Sequence, residues 1–228
     1  KNFNNEIYNL IISSRSKKNL INAKYHLKNK NITNISCDFE SEKNVKIFFK
    51  KLKKKIDKID IIICNVGSGK TSKSGEENYS VWQKMFNKNF FSTTNVVESY
   101  LKIFKEKTKN TKIIIIGSIA GKFRGNAPLS YSIAKNCLIN YVDHISPILA
   151  KKKIRINSIS PGHVLIKGNN WHKKLMKNKN KTEKFIRNSV SLKKFCSIND
   201  INNCVNFIIS DKSDYINGIN LEVDGKTI

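Results

Sequence analysis

Acidic residues, arginine, proline and glycine are all scarce in this chain of 228 residues. Its 17 Asp and Glu residues stand against 43 Lys and Arg, which gives a formal net charge of +26, and only four of the basic residues are arginine. Three prolines and ten glycines leave no stretch that would divide the chain. Residues 1–228 are therefore predicted to form one domain.

The positive charge raises the question of nucleic-acid binding. Arginine, the residue best suited to bidentate contacts with phosphates and bases, is nearly absent, and the lysines are mostly dispersed. Lys, Asn and Ile, at 39, 31 and 34 residues, all have A/T-rich codons, so compositional drift accounts for the charge. We predict no specific nucleic-acid partner and keep a basic nucleic-acid-binding protein as an alternative.

Cysteine occurs in an odd number and without the spacing of metal ligands. No two of the five form a CxxC pair, and they lie mostly in apolar segments, at Cys37, Cys64, Cys137, Cys196 and Cys204. This pattern favours reduced core thiols in a cytoplasmic protein over disulfides or a metal site. No apolar run reaches the roughly 18 residues of a membrane span, so no membrane partner is predicted.

The most informative stretch begins with four consecutive isoleucines, Ile113 to Ile116, followed by Gly117 and Ser118. A short β-branched apolar run that ends at a turn is typical of a buried strand in a parallel sheet. Ser118 is thus predicted at the C-terminal end of a strand. Open α/β sheets bind their ligands at that edge.

A helical pattern follows, in which Tyr131 and Lys135 are separated by four residues. This spacing places both side chains on one face of the helix. An ammonium near a phenol favours the phenolate, so we expect Lys135 to lower the pKa of Tyr131 from about 10. A tyrosine tuned in this way can act as a general acid or base, while Ser118 can hydrogen-bond a carbonyl oxygen beside it.

Ser118, Tyr131 and Lys135 resemble the active site of the short-chain dehydrogenase/reductase family. Further segments match that family's motifs in the same order along the chain. Cys64 to Gly67 stand where the family has NNAG, and Asn89 matches its helix asparagine. Ile156 to Gly162 match its RVN-x-(I/V)-x-PG strand, and Asn217 to Gly225 match its closing strand. The resemblance covers essentially the whole chain and is closest to the 3-oxoacyl-carrier-protein reductases and related sugar or polyol dehydrogenases. It implies a Rossmann-type, doubly wound parallel sheet of class α/β.

The resemblance also implies an activity, namely an oxidoreductase that interconverts a carbonyl and a secondary alcohol by hydride transfer. In that family the tyrosine matching Tyr131 donates the proton. The lysine matching Lys135 tunes that tyrosine and holds the cofactor ribose, and the serine matching Ser118 orients the carbonyl. The asparagine matching Asn89 holds a water in the proton path. The substrate is a small carbonyl or alcohol, which can be linked to a carrier protein.

The N-terminal part of the family pattern differs in this chain. Residues 8–14 are predicted to form the family's second strand, after a short helix tail at residues 2–6. The family's first strand and its glycine-rich TGxxxGxG turn have no counterpart in the printed sequence, and we expect the sequence to be incomplete at its N-terminus. A natural variant without that turn is the alternative, and a non-catalytic scaffold with a retained tetrad is a second possible function.

The end of the second strand normally decides between the two nicotinamide cofactors. An acidic residue there would bind a ribose 2′-hydroxyl, but this chain has Ser14 and Arg15, which suit a 2′-phosphate. We therefore predict that NADP(H) is favoured over NAD(H). The resemblance implies further cofactor-binding positions at Asp38, beside the adenine, and at Asn65, Gly67, Pro161 and Gly162.

Two longer segments complete the predictions. Residues 79–107 are predicted to form one long helix that contains Asn89. Residues 163–195 match the family's substrate lid and show no regular alternation, and Val164, Leu165 and Ile166 stand where the family has a threonine that contacts the cofactor carboxamide. The family's long helices, here 79–107 and 130–150, usually pair between subunits, which implies a homodimer or homotetramer.

Overall fold

A computed structural model describes residues 9–27, 31–105, 110–123 and 125–228. Among them the elements follow one another as β1 Leu10–Ser14, α1 Lys17–His26, β2 Ile32–Ser36, α2 Glu42–Lys53, β3 Ile61–Cys64, α3 Tyr79–Phe86, a π-helical turn Asn87–Phe91, α4 Ser92–Phe104, β4 Lys112–Ile116, α5 Leu129–Ala150, β5 Arg155–Pro161, α6 Asn170–Lys177, α7 Lys179–Ser189, α8 Ile198–Ile209 and β6 Asn220–Val223. The chain divides into two compact units, the first from residues 1–58 and 91–107 and the second from 59–90 and 108–228.

The first unit is built on a parallel pair of strands, β1 and β2, in which Leu10 lies opposite Ile32 and Ser14 opposite Ser36. Helices α1 and α2 each begin at a serine, Ser16 and Ser41, whose hydroxyl accepts a hydrogen bond from a backbone N–H of the first turn. The buried face of α2 packs against α4 through an aromatic cluster. Its members are Phe48, Phe49, Tyr100 and Phe104.

The second unit contains a four-stranded sheet in the order β3-β4-β5-β6, in which every neighbouring pair is parallel. Ile113 to Ile115 of β4 and the isoleucines of β5 are buried together with one face of α5, as the β-branched run predicts, while Ile116 at the end of β4 is half-buried. Because all four strands run in the same direction, the loops that follow their C-terminal ends lie at one edge of this sheet.

The predicted class, α/β with parallel strands, is confirmed, although the described strands form sheets of two and four. The prediction of one continuous helix over residues 79–107 is wrong, because a π-helical turn separates α3 from α4. The last two residues of that predicted helix lie outside the described part. The lid segment contains two regular helices, α6 and α7, each started by an asparagine cap. The helix tail predicted at residues 2–6 lies outside the described residues.

Candidate active site

Ser118 lies two residues beyond the end of β4, at the start of a short 3₁₀ turn from Ile119 to Gly121. Its hydroxyl oxygen accepts a hydrogen bond from the backbone N–H of Ala120 at 3.2 Å. This turn lies tightly against α5, since a Cβ on Gly121 would come within 2.7 Å of the Lys135 carbonyl carbon. The side-chain amide of Asn136 donates to the Gly121 carbonyl at 2.7 Å and ties the two elements together.

Tyr131 and Lys135 occupy the first two turns of α5, as predicted. Ser118 lies close enough to Tyr131 for its hydroxyl to act on the pKa of the phenol, so the fold brings the two predicted hydroxyls together. Lys135 is only 3% exposed, and its Nζ donates to the backbone carbonyl of Ile116 at 3.0 Å. The structure thus assembles a phenol, an alcohol and an amine at the C-terminal edge of the sheet.

The electrostatics of this cluster differ from the expectation drawn from the sequence. Burial raises the pKa of Tyr131, and the nearby Ser118 hydroxyl acts in the opposite direction. Burial also lowers the pKa of Lys135 to about 8, against a smaller opposing effect of Cys64. The expectation that Lys135 lowers the pKa of Tyr131 is wrong for this structure, because the amine is buried and directed at the Ile116 carbonyl.

Asn89 is completely buried in the π-helical turn. Its side-chain Nδ2 donates to the carbonyls of Ser68 and Met85, both at 3.1 Å, and its Oδ1 accepts from the Ser68 backbone N–H at 2.9 Å. Because the bond to Met85 spans four residues, the side chain takes a carbonyl that the helix backbone would otherwise use. Both amide N–H groups are therefore occupied, which leaves only one lone pair of Oδ1 for the predicted water.

The segment after β3 passes directly beside these groups. A Cβ on Gly67 would lie 2.9 Å from Asn89 Oδ1 and 3.3 Å from Lys135 Nζ, so only a glycine fits there without displacing them. Two residues later the chain passes over the ring of Tyr131, and a Cβ on Gly69 would lie 3.8 Å from the nearest ring carbons. Asn65, which was predicted to contact the cofactor, is exposed at the end of β3.

Pro161 and Gly162 end β5 at the same edge of the four-stranded sheet. A Cβ on Gly162 would lie 2.6 Å from Asp224 Cβ, so a glycine is required by the close approach of the chain after β6. The next residue, His163, packs against Trp171 of α6 and Phe185 of α7, with ring centroids 4.9 and 5.8 Å away. Burial lowers the pKa of His163, Asp224 acts to raise it, and Lys174 adds to the lowering.

The three predicted cofactor residues of the first unit lie near one another. Ser14 ends β1, and Arg15 and Asp38 line a cavity of about 360 Å³ beside Cys37, where β2 has ended. The wall of this cavity also includes apolar side chains of β2 and α2, among them Ile35 and Ile47. A polar and apolar lining of this kind suits a nucleotide. The guanidinium of Arg15 is engaged by the carboxylate of Glu40 at 2.9 Å.

Sequence reasoning missed several residues that hold this site together. Gly121 and Asn136 join the serine turn to α5, while Ser74 and Glu77 contact the start of the same helix. The glycine three residues after Ser118 was the one local signal, because a turn packed on a helix needs a residue without a side chain. The other contacts join residues 15 to 55 positions apart and leave no pattern in the sequence.

No cluster of three or more His, Cys, Asp or Glu side chains in the described ranges could hold a metal ion. No helix in that same part of the chain combines the length and apolar character needed to cross a bilayer. All five cysteines are free thiols.

The amino-acid sequence is similar to those of known reductases. The profile of the enoyl-(acyl carrier protein) reductase family matches residues 1–225. A 3-oxoacyl-[acyl-carrier-protein] reductase, FabG of Buchnera aphidicola, is 30% identical over 172 residues, which span 75% of this chain and 68% of the relative.

Solved structures support the same fold. A structure of ElxO with NADP bound superposes with a TM-score of 0.86 at 22% identity, over 98% of this chain and 90% of the other. A 4-hydroxyisoleucine dehydrogenase complexed with NADH gives a TM-score of 0.85 at 22% identity, with the same coverage. At this level of identity the likeness establishes the Rossmann-type fold.

Proposed function

The chain belongs to the short-chain dehydrogenase/reductase family, and on that premise we propose that it interconverts a carbonyl and a secondary alcohol with NADP(H). The proximity of the Ser118 and Tyr131 side chains at the sheet edge, with the buried Lys135 one turn further along the same helix, is the observation that carries the proposal. Two hydroxyls that meet at a sheet edge can hold one carbonyl oxygen from two sides. The resident nicotinamide cofactor would supply the hydride.

Each side chain then has a separate role in carbonyl reduction. Tyr131 donates its phenolic proton to the carbonyl oxygen, and Ser118 orients that oxygen through its hydroxyl. Lys135 holds the cofactor ribose through its buried amine. Asn89 fixes the backbone of Ser68 and keeps the covering loop in place.

The choice of NADP(H) is supported by the residues after β1 and β2. Arg15 and Ser14 offer a cation and a hydroxyl, and no acidic residue stands at the end of β1. The cavity lined by Arg15, Asp38 and Asn44 would receive the adenosine part of the cofactor. In the second unit, Asn65, Gly67, Pro161 and Gly162 are proposed as further cofactor-binding residues.

We further propose that residues 163–195 cover the substrate, since α6 and α7 are anchored on His163 through Trp171 and Phe185. A substrate linked to a carrier protein is supported by the name of the Buchnera relative. Five free thiols support a cytoplasmic location. Exposed apolar side chains on α5, Ile133 and Ile148, support a homodimer or homotetramer.

The decisive experiment is a panel of ketones, including β-ketoacyl thioesters, read by the absorbance of NADPH, with Tyr131→Phe as the test variant. Loss of one hydroxyl should lower kcat by at least about 10²-fold while the protein still folds, because general-acid catalysis contributes about 10² to 10⁴. Tyr141→Phe removes a hydroxyl from the same helix and should leave kcat unchanged. A Tyr131→Phe variant with a normal rate would remove the assignment, and a non-catalytic scaffold would turn over no member of the panel.

A further inference from the structure

The helix that carries Tyr131 and Lys135 has an unusual beginning. Six other helices of the described chain, α1, α2, α3, α6, α7 and α8, start after a serine or asparagine whose own side chain caps the first turn. Helix α5 starts after Pro128, which has no side-chain acceptor. The first backbone N–H groups of a helix have no partner within the helix, so α5 needs acceptors from elsewhere.

Those acceptors come from a distant turn, residues 74–78. The backbone N–H of Leu129 donates to Ser74 Oγ at 3.0 Å, and that of Ser130 donates to Glu77 Oε1 at 3.1 Å. The contacts span 55 and 53 residues. Two side chains of one turn therefore replace the local cap, and the second of them binds the residue immediately before Tyr131.

Glu77 is itself held in place. Its second carboxylate oxygen, Oε2, accepts from the Gly75 N–H at 2.6 Å, and Gly75 has a φ of +90°, a conformation that favours glycine. Partial burial acts to raise the pKa of Glu77, but the backbone and hydroxyl of Ser130 and the backbone N–H of Gly75 outweigh it, so the pKa is lowered. The cap is therefore a carboxylate at neutral pH.

The same turn also starts the helix that leads to Asn89. Asn78 caps α3 by accepting from the Val81 N–H at 3.0 Å, and α3 packs against α5. At the other end of the loop, the Asn89 side chain hydrogen-bonds both the backbone N–H and the carbonyl of Ser68. The loop from Ser68 to Asn78 is thus fixed at both ends, with Gly69 lying over the Tyr131 ring between them.

We propose that Glu77 is a positioning residue of the reaction, which sets the start of α5 and thereby the placement of Tyr131 against Ser118, with Ser74 as its auxiliary. The role of Glu77 in catalysis rests on the proposed function, whereas its role as a cap does not. We also expect the negative charge of Glu77 to offset the positive end of the helix, which otherwise favours the phenolate of Tyr131.

The experiment compares Glu77→Ala, Glu77→Gln and Ser74→Ala with Glu76→Ala as the matched control. Glu76 has the same side chain one position earlier, is 63% exposed and pairs only loosely with Lys73 at 4.0 Å. Three quantities are measured, namely amide hydrogen exchange over residues 129–132, kcat and KM of ketone reduction, and the titration of Tyr131 in protein labelled with ¹³C at tyrosine Cζ. The Tyr131 signal is assigned by its loss in Tyr131→Phe.

Glu77→Ala should speed exchange in the first turn of α5 about fivefold to tenfold, as the loss of a helix cap does, and should lower kcat with KM for NADPH within about twofold. Glu77→Gln keeps an acceptor for the Ser130 N–H but loses the one for the Gly75 N–H, so it should restore most of the exchange protection and of kcat while the pKa of Tyr131 falls, because the negative charge is gone. Ser74→Ala should show a smaller change, and Glu76→Ala none.

Normal kcat in Glu77→Ala with faster exchange would overturn the proposal, because the cap would then be merely structural. Equal losses in Glu77→Ala and Glu76→Ala would also overturn it. If the unsubstituted protein reduces no ketone, the proposed function fails. Exchange and the Tyr131 titration then still decide the positioning role, since unchanged values in Glu77→Ala and Glu77→Gln would refute it.

Discussion

The side chain of Lys135 combines a positive charge with almost complete burial, and this combination has an energetic cost. No carboxylate acts on its amine in the described structure, and the amine donates a hydrogen bond to the neutral carbonyl of Ile116. Burying an ammonium without an opposite charge disfavours the charged form, which explains why its pKa falls to about 8. The residue is therefore kept at the expense of stability.

Replacing Lys135 by Met should accordingly stabilise the fold while removing activity. The folded-state pKa of about 8 lies below the value of about 10.4 in the unfolded chain. The penalty is fully present below pH 8 and disappears as pH rises from 8 to 10.4, so the unsubstituted protein gains stability over that window. The shift corresponds to roughly 3 kcal/mol as an upper bound, measurable by urea unfolding at pH 7 and pH 10.

Lys84→Met, at an exposed position of α3, serves as the control and should change stability little at either pH. If Lys135→Met were no more stable than the unsubstituted protein at pH 7, the buried amine would carry no such penalty.

Arg15 should determine cofactor choice, and its neighbour Glu40 should moderate that choice. Arg15→Leu should weaken NADPH binding about tenfold while NADH binding changes little, because a charge-assisted contact with the 2′-phosphate is lost. Glu40→Gln should tighten NADPH binding, since it frees the guanidinium and removes a negative charge near the phosphate. Fluorescence titration with NADPH and NADH measures both affinities. Lys43→Leu, at an exposed position of α2, is the charge-matched control. Tighter binding of NADH than NADPH by the unsubstituted protein would contradict the assignment.

At the scale of whole elements, the contact between the Ser118 turn and α5 depends on the absence of one side chain. A Cβ on Gly121 would lie 2.7 Å from the carbonyl carbon and 2.9 Å from the carbonyl oxygen of Lys135, and backbone atoms of a helix cannot move aside. The turn would have to shift away from α5 as a unit. Ser118 and Tyr131 would then separate.

Gly121→Ala should therefore destabilise the protein by about 1–3 kcal/mol, the usual cost of overpacking, and also lower kcat. Gly69→Ala is the matched control for stability, because its Cβ would make ordinary contact with the Tyr131 ring at 3.8 Å. Denaturant unfolding of both variants makes the comparison. Equal stability of the two would show that the turn adapts more readily than this packing implies.

Secondary-structure elements that are determined by neighbouring residues could be predicted from the sequence. Four isoleucines before Gly117 predicted β4, and the spacing of Tyr131 and Lys135 predicted their common helix. The π-helical turn escaped prediction because it is stabilised by Asn89, whose partner Ser68 lies 21 residues away. The cap by Glu77 escaped for the same reason. A glutamate before a helix is usually assigned to that helix, and nothing local indicates that it serves another one.

At the scale of the whole molecule, the excess of lysine should produce binding that depends on charge alone. With a formal net charge of +26, the protein should adsorb to DNA and RNA, and the affinity should fall by orders of magnitude between about 50 and about 200 mM salt. Duplexes of the same length and unrelated sequence should bind equally, which fluorescence anisotropy can measure. A sequence-selective complex that persists at about 150 mM salt would revive the nucleic-acid hypothesis.

The start of α5 also bears on the order in which the molecule folds. Because the acceptors for Leu129 and Ser130 lie more than fifty residues earlier, the first turn of this helix is completed only after a long loop has closed. We expect contacts of such sequence separation to form late on the folding pathway, in which case their loss accelerates unfolding and leaves the folding rate nearly unchanged. We therefore expect the turn that holds the reactive tyrosine to be among the last parts of the second unit to form and among the first to open.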